Sequence, residues 1–204
     1  MTKSYHQYCP VAHALDLVGE RWALLVVREL QHGPLRYSDL HARIGGCSTN
    51  MLAARLRDLE AGGVVQKRKL PPPAASTGYE LTETGEGLRP VLAALARWGA
   101  RTLGPPADDV ELIPGWLERV LHTAVAPLVT DVRIGFRCGT EAASVIDGNV
   151  RPGVDADAEA VVQCDPSGFY HLMVEGALEA VAITGNRKVV ERLAETIAGK
   201  TVSA

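Results

Sequence analysis

Residues 37–69 read YSDLHARIGGCSTNMLAARLRDLEAGGVVQKRK. Tyr37 to Ile44 is expected as a short helix ended by Gly45-Gly46. Ser48 is a residue type that caps helix starts, and Leu52, Leu56 and Leu59 recur on one face of the helix it would begin. Gly62-Gly63 closes that helix, and Val64 to Leu70 reads as a strand. A proline-stiffened loop, Pro71 to Gly78, leads to a return strand from Tyr79 to Leu81. Helix, glycine turn, capped helix and hairpin together predict a mainly α winged helix-turn-helix domain.

Working outward, Cys9-Pro10 opens a helix with Val11, Ala14, Leu15 and Val18 at helical spacing. Trp22 to Leu30 is almost continuously apolar, so that helix is expected to be buried, with Trp22 in the core. On the other side, Thr82 is predicted to cap one long helix striped by Leu88, Val91, Leu92, Leu95 and Trp98. That stripe outruns what a small domain must cover, so it is expected to meet a second copy. The start of the second helix of the motif would present Ser48, Thr49 and Asn50 to a DNA major groove, with Ala53 and Arg57 on the same outward face. Lys67, Arg68 and Lys69, the tightest basic cluster, would neutralise phosphates from the wing.

The chain of 204 residues is 47% hydrophobic and 22% charged, ordinary globular usage. Its net charge of −3 conceals an asymmetry. Residues 1–103 hold thirteen Lys and Arg against nine Asp and Glu, or +4; residues 104–204 hold eight against fifteen, or −7. A Gly, Pro and acid stretch around Gly104 to Asp109 marks the seam. The expected organisation is a DNA-binding and dimerisation domain over 1–103, a linker over 104–114 and a small α+β domain over 115–204. No apolar run approaches the ~20 residues of a spanning helix, and no apolar signal segment follows Met1, so a cytoplasmic protein without membrane contact is expected. Cys9, Cys47, Cys138 and Cys164 are scattered and expected as free thiols. His6, Cys9 and His13 lack a fourth ligand, so neither a metal nor another cofactor is expected.

An ordered set of short motifs adds to this reading. Cys9-Pro10-Val11-Ala12, Gly19-Glu20-Arg21-Trp22, Arg28-Glu29-Leu30, Gly33-Pro34-Leu35-Arg36-Tyr37-Ser38-Asp39-Leu40, Arg55-Leu56-Arg57-Asp58-Leu59-Glu60, Gly78-Tyr79-Glu80-Leu81-Thr82, Gly85 and Trp98-Gly99 follow one another. Over about residues 8 to 103 the chain resembles the HxlR-type branch of the MarR-like winged-helix regulators. The resemblance implies a homodimeric bacterial transcription factor on a double-stranded DNA operator, paired through its first and last helices. In that family a cysteine placed like Cys9 often senses oxidants or electrophiles, which makes Cys9 a redox candidate beside its plainer role as a small packing residue.

In the second half, Trp116 to Ala126 fits a helix. Strands are expected at Val132 to Cys138, Ala142 to Ile146, Ala160 to Cys164 and Ala180 to Ile183. Helices are expected after Asp165 and Asn186. Ala160-Val161-Val162, Asp165-Pro166, Phe169 to Leu172, Ala182-Ile183-Thr184-Gly185-Asn186 and Val189 to Leu193 resemble the sterol-carrier-type lipid-binding fold. That resemblance implies an apolar tunnel between sheet and helices, with Trp116, Leu117, Phe136, Phe169, Leu172 and Met173 as candidate lining for an apolar small-molecule effector. The competing reading of those six residues is plain core.

Three functions therefore compete: a DNA-binding regulator with an appended effector domain, a lipid or small-molecule carrier whose helical half mainly dimerises, and a thiol-based redox sensor acting through Cys9. No clustered Ser/His/Asp, metal spacing or phosphate loop speaks for an enzyme.

Overall fold

The computed structural model describes residues 4–71, 76–107 and 112–202. The tip of the proline-rich loop (72–75) and the acidic part of the expected linker (108–111) lie outside the described residues. The chain forms two compact units, residues 1–92 and 93–204.

The first unit runs α1 (Pro10–Val18), α2 (Ala23–Leu30), β1 (Leu35–Arg36), α3 (Tyr37–Ile44), α4 (Thr49–Ala61), β2 (Val65–Lys69), β3 (Thr77–Leu81), α5 (Glu83–Glu86) and the start of α6 (Arg89–Leu103). Pro10 occupies the first turn of α1, where its missing N–H costs nothing. Trp22 stands just before α2 with φ of 79°, and its half-buried ring packs at the edge of the core beneath the Arg21 guanidinium. Val26, Val27, Leu40, Leu52, Leu56 and Leu59 are buried together in that core. Each buried Leu contributes about 1.5–3 kcal/mol of transfer free energy.

Two features of this unit depart from expectation. The hairpin has a third strand, because β1 pairs antiparallel with β3 through Leu35 and Tyr79. The long last helix is broken: the Thr82 hydroxyl accepts the Gly85 N–H and caps only the four-residue α5. Pro90 has no N–H to give the Glu86 carbonyl, so the helix restarts as α6. Gly85 is also where this turn presses on the wing, since a Cβ there would lie 2.2 Å from the Val64 carbonyl oxygen.

From Ala93 onward α6 belongs with the second unit, so the division falls inside a helix, upstream of the glycine-proline stretch. The Tyr170 hydroxyl reaches the Ala100 carbonyl, at 3.4 Å. Val91, Leu95 and Trp98 on α6 are exposed, as are Val11 and Leu15 on α1. Trp98, at 70% exposure, is therefore not core within this chain.

The second unit continues with α7 (Trp116–Val120), β4 (Arg133–Cys138), β5 (Glu141–Ile146), β6 (Asn149–Pro152), β7 (Ala160–Cys164), α8 (Pro166–Glu175), β8 (Ala182–Gly185) and α9 (Arg187–Val202). The sheet order is β6-β5-β4-β7-β8, antiparallel except for the β4–β7 pair. α7 does not reach Ala126 as one helix; a π turn (Leu121–Val125) and a 3₁₀ turn (Ala126–Leu128), with Pro127 in its first positions, complete the segment. The expected four strands are five. Asp147-Gly148, with φ of 49° and 76°, makes a tight hairpin into β6, an edge strand that tolerates Pro152. The Glu141 carboxylate on β5 accepts the Gly115 and Leu117 N–H groups and so fixes the start of α7. Asp165 caps α8 by accepting the Gly168 N–H at 2.6 Å. Cys138 and Cys164 stand side by side on β4 and β7 as free thiols, 3.6 Å apart. The hydrogen bond with the neighbouring Cys164 sulfur, and then burial, push the Cys138 thiol up.

Candidate nucleic-acid interface

The turn between α3 and α4 is built on Gly45 and Gly46, with φ of 61° and 63°, a region that only glycine enters freely. Two bonds then set the start of α4. The Ser48 hydroxyl accepts the Met51 N–H at 3.3 Å, and the Tyr37 hydroxyl donates to the Thr49 carbonyl at 2.6 Å. Cys47 is buried beneath the turn, and that burial raises its thiol. Ser48, Thr49, Asn50 and Arg57 are exposed, and Ala53 is half-buried on the same helix. The Asn50 and Arg57 side chains make no hydrogen bond or ion pair among the described residues. A helix start of this kind offers a positive dipole end, small hydrogen-bonding groups and one free guanidinium.

The wing differs. Lys67, Arg68 and Lys69 are all exposed, so none turns inward. Two of them are already paired inside the chain. Lys67 Nζ meets Glu60 Oε2 at 2.8 Å, a bond that raises the lysine. Arg68 meets Glu80 Oε2 at 2.7 Å and holds that carboxyl below its ordinary value. Gln66 donates to the other Glu80 oxygen at 2.9 Å. Lys69 has no ion-pair partner among the described residues. Arg36 at the start of α3 and Arg43 in its last turn add half-buried and exposed charge on the flank of the motif. Sequence reasoning passed over both; their signal was a basic residue at each end of the first helix of the motif.

The second unit contains a cavity of about 510 Å³. It lies among α6 from Ala96 on, the segment 104–107, α7, α8 and α9, away from the sheet. The expected lining divides. Trp116, Phe169 and Met173 face this cavity. Leu117, Phe136 and Leu172 are fully buried in the core between sheet and helices and do not line it. There the ring of Phe169 meets Phe136 at 5.9 Å and Trp116 at 5.5 Å, both edge-on, filling the place where a tunnel was expected. Cys9 is half-buried just before α1 and caps nothing with its side chain. Among the described residues no cluster of His, Cys, Asp and Glu could hold a metal, and no helix is long and apolar enough to cross a membrane.

The HxlR-like helix-turn-helix family matches residues 17–106. A transcriptional regulator of Synechocystis sp., sll1512, is 36% identical over 107 residues, which is 52% of this chain and 79% of that protein. The chain belongs to the HxlR-like helix-turn-helix family. The regulator YvaP of Bacillus subtilis is 32% identical over 104 residues, 50% of this chain and 96% of its own. The reduced form of the B. subtilis regulator YodB aligns with 32% identity and a TM-score of 0.42, over 50% of this chain and all of that one. The HxlR-like match contains α3, α4 and the wing, so the chain is a helix-turn-helix transcriptional regulator. It stops at residue 106, before the sheet of the second unit begins.

Proposed function

We propose that this regulator binds its operator as a homodimer, reads bases with Ser48, Thr49, Asn50, Ala53 and Arg57, and touches phosphates with Lys67, Arg68 and Lys69. The observation that carries the reading is the start of α4, where Asn50 and Arg57 are exposed and unengaged while Ser48 and Tyr37 hold the backbone in place. The exposed apolar residues of α1 and α6 support pairing through those helices. A two-fold dimer would read a pseudo-palindrome with half-sites about 10 bp apart. Footprinting with the full chain tests this, together with sedimentation. Two protected half-sites and a dimer are expected; a monomer that binds the same operator tightly overturns the dimer.

The second unit is proposed as an effector domain for an apolar small molecule, in keeping with its sterol-carrier-like order of elements. Its support is the cavity, whose volume falls in the range of small-molecule sites. An effector acts only through different affinities for the DNA-competent and incompetent states. A second reading attaches to Cys9, a half-buried free thiol at a helix start. The relative YodB has a structure described as its reduced form. Operator release on treatment with a quinone, lost in Cys9→Ser, would support thiol sensing.

A further inference from the structure

Arg97 is the one cation among the described residues that line the cavity, and it is unengaged. It is half-buried and makes no hydrogen bond or ion pair with any described residue. Elsewhere in this unit Arg133, Arg151 and Arg187 each hold a carboxylate, and Arg119 holds backbone carbonyls. The rest of the wall is apolar save for the Tyr170 hydroxyl, whose bond to the Ala100 carbonyl is long at 3.4 Å. Ala100 follows Arg97 by three residues on α6, so the two occupy one helix face.

We propose that the cavity takes an apolar carboxylate, an aliphatic or arylalkyl acid. Its chain packs among Trp116, Phe169 and Met173, and its carboxylate pairs with the Arg97 guanidinium. This rests on the reading of the second unit as an effector domain and supplies the chemical class of the effector. The planar guanidinium matches a carboxylate through two parallel hydrogen bonds, and a half-buried site strengthens them. The −7 charge of residues 104–204 opposes an anion only weakly, because charges beyond about 8 Å are screened at physiological salt whereas the contact pair is not. The same helix bears the exposed Val91, Leu95 and Trp98, so occupancy of the cavity would be felt by the proposed dimer stripe.

The test compares decanoate with 1-decanol on the full-length protein by calorimetry, with thermal melts as a control for folding. Wild type is expected to bind decanoate at least about tenfold more tightly, the difference a charge-assisted pair makes. Arg97→Gln should raise the decanoate Kd to that of decanol, and Arg97→Lys should keep part of the preference. Equal affinities in wild type, or a preference that survives Arg97→Gln, would overturn the anion site and leave the apolar effector standing. If neither probe binds to folded wild type, the effector reading falls too. Should Arg97→Gln fail to fold, the wild-type pair of Kd values and Arg97→Lys still decide.

Discussion

The start of α4 and the wing both present polar groups to solvent, yet they stand in opposite states. At α4, Asn50 and Arg57 are unengaged, and the bonds present, Ser48 to Met51 and Tyr37 to Thr49, fix the backbone that carries them. On the wing, Lys67 and Arg68 are engaged with Glu60 and Glu80. A ligand meeting α4 breaks nothing inside the protein. A phosphate meeting Lys67 or Arg68 must compete with a carboxylate already in contact. Exposure and charge therefore do not measure availability. On the proposed reading the first surface would carry binding and specificity, while the second, partly self-neutralised, would make weaker, adjustable contact.

The largest expected effect removes what both surfaces share. Leu56 is fully buried beneath α4 in the core that also holds Val64 and Val65 at the base of the wing. Leu56→Ala should cost about 2–5 kcal/mol of stability by cavity formation, measured by denaturant unfolding. Loss of operator and random-DNA binding together should accompany it. Unchanged stability would separate the two surfaces from a common core.

Next comes Asn50→Ala, which should cost ~1–3 kcal/mol on the operator and relax specificity at one base position, with little change on random DNA. Anisotropy titrations on both DNAs decide it. If random DNA weakens as much as the operator, Asn50 contacts backbone rather than bases, and the contrast with the wing disappears.

Much of this contrast lies beyond sequence reasoning, for a definite reason. The α4 site is local: the turn glycines, the Ser48 cap and the Leu52, Leu56, Leu59 stripe follow one another along one short stretch of chain, so spacing alone places them. Thr82 is legible as a cap for the same reason, as is the helix that follows Asp165, although the break before α6 turned on Pro90. The wing pairs depend on tertiary placement. Lys67 meets Glu60 only because Gly62-Gly63 folds β2 back along α4. β1 is two residues long and exists only through its pairing with β3. The cavity was misplaced because composition cannot tell a side chain that fills a core from one that lines a void. Phe136 and Leu172 do the first, and Trp116 and Met173 do the second.

Acidity provides a smaller test. Arg68 holds the Glu80 carboxyl below its ordinary value, with Gln66 helping. A group with a depressed folded pKa contributes stability above its unfolded pKa, and loses it as pH falls through the folded value. Stability of wild type should therefore fall slightly more than that of Glu80→Gln as pH drops below the ordinary carboxylate range. Parallel pH profiles would mean that the pair makes no net contribution, as many surface pairs do not. At neutral pH, Glu80→Gln should strengthen random-DNA binding and steepen its salt dependence, because Arg68 is then released for phosphate.

The smallest effect separates two lysines two residues apart on β2. A lysine that neutralises one phosphate contributes about 0.9 to the slope of log affinity against log salt. Lys69, without an ion-pair partner among the described residues, should contribute nearly all of that, so Lys69→Ala should flatten the slope by about one unit. Lys67 starts from a contact with Glu60. Moving to a phosphate exchanges one anion for another and leaves Glu60 uncompensated beside the DNA. Lys67→Ala should therefore change the slope by less, and Glu60→Gln should bring Lys67 up to the contribution of Lys69. Salt titrations on random DNA of the four proteins resolve this without reference to the operator. Equal slopes for Lys67→Ala and Lys69→Ala would mean that the Glu60 contact is surrendered at no cost, and that the wing is as ready for DNA as the start of α4.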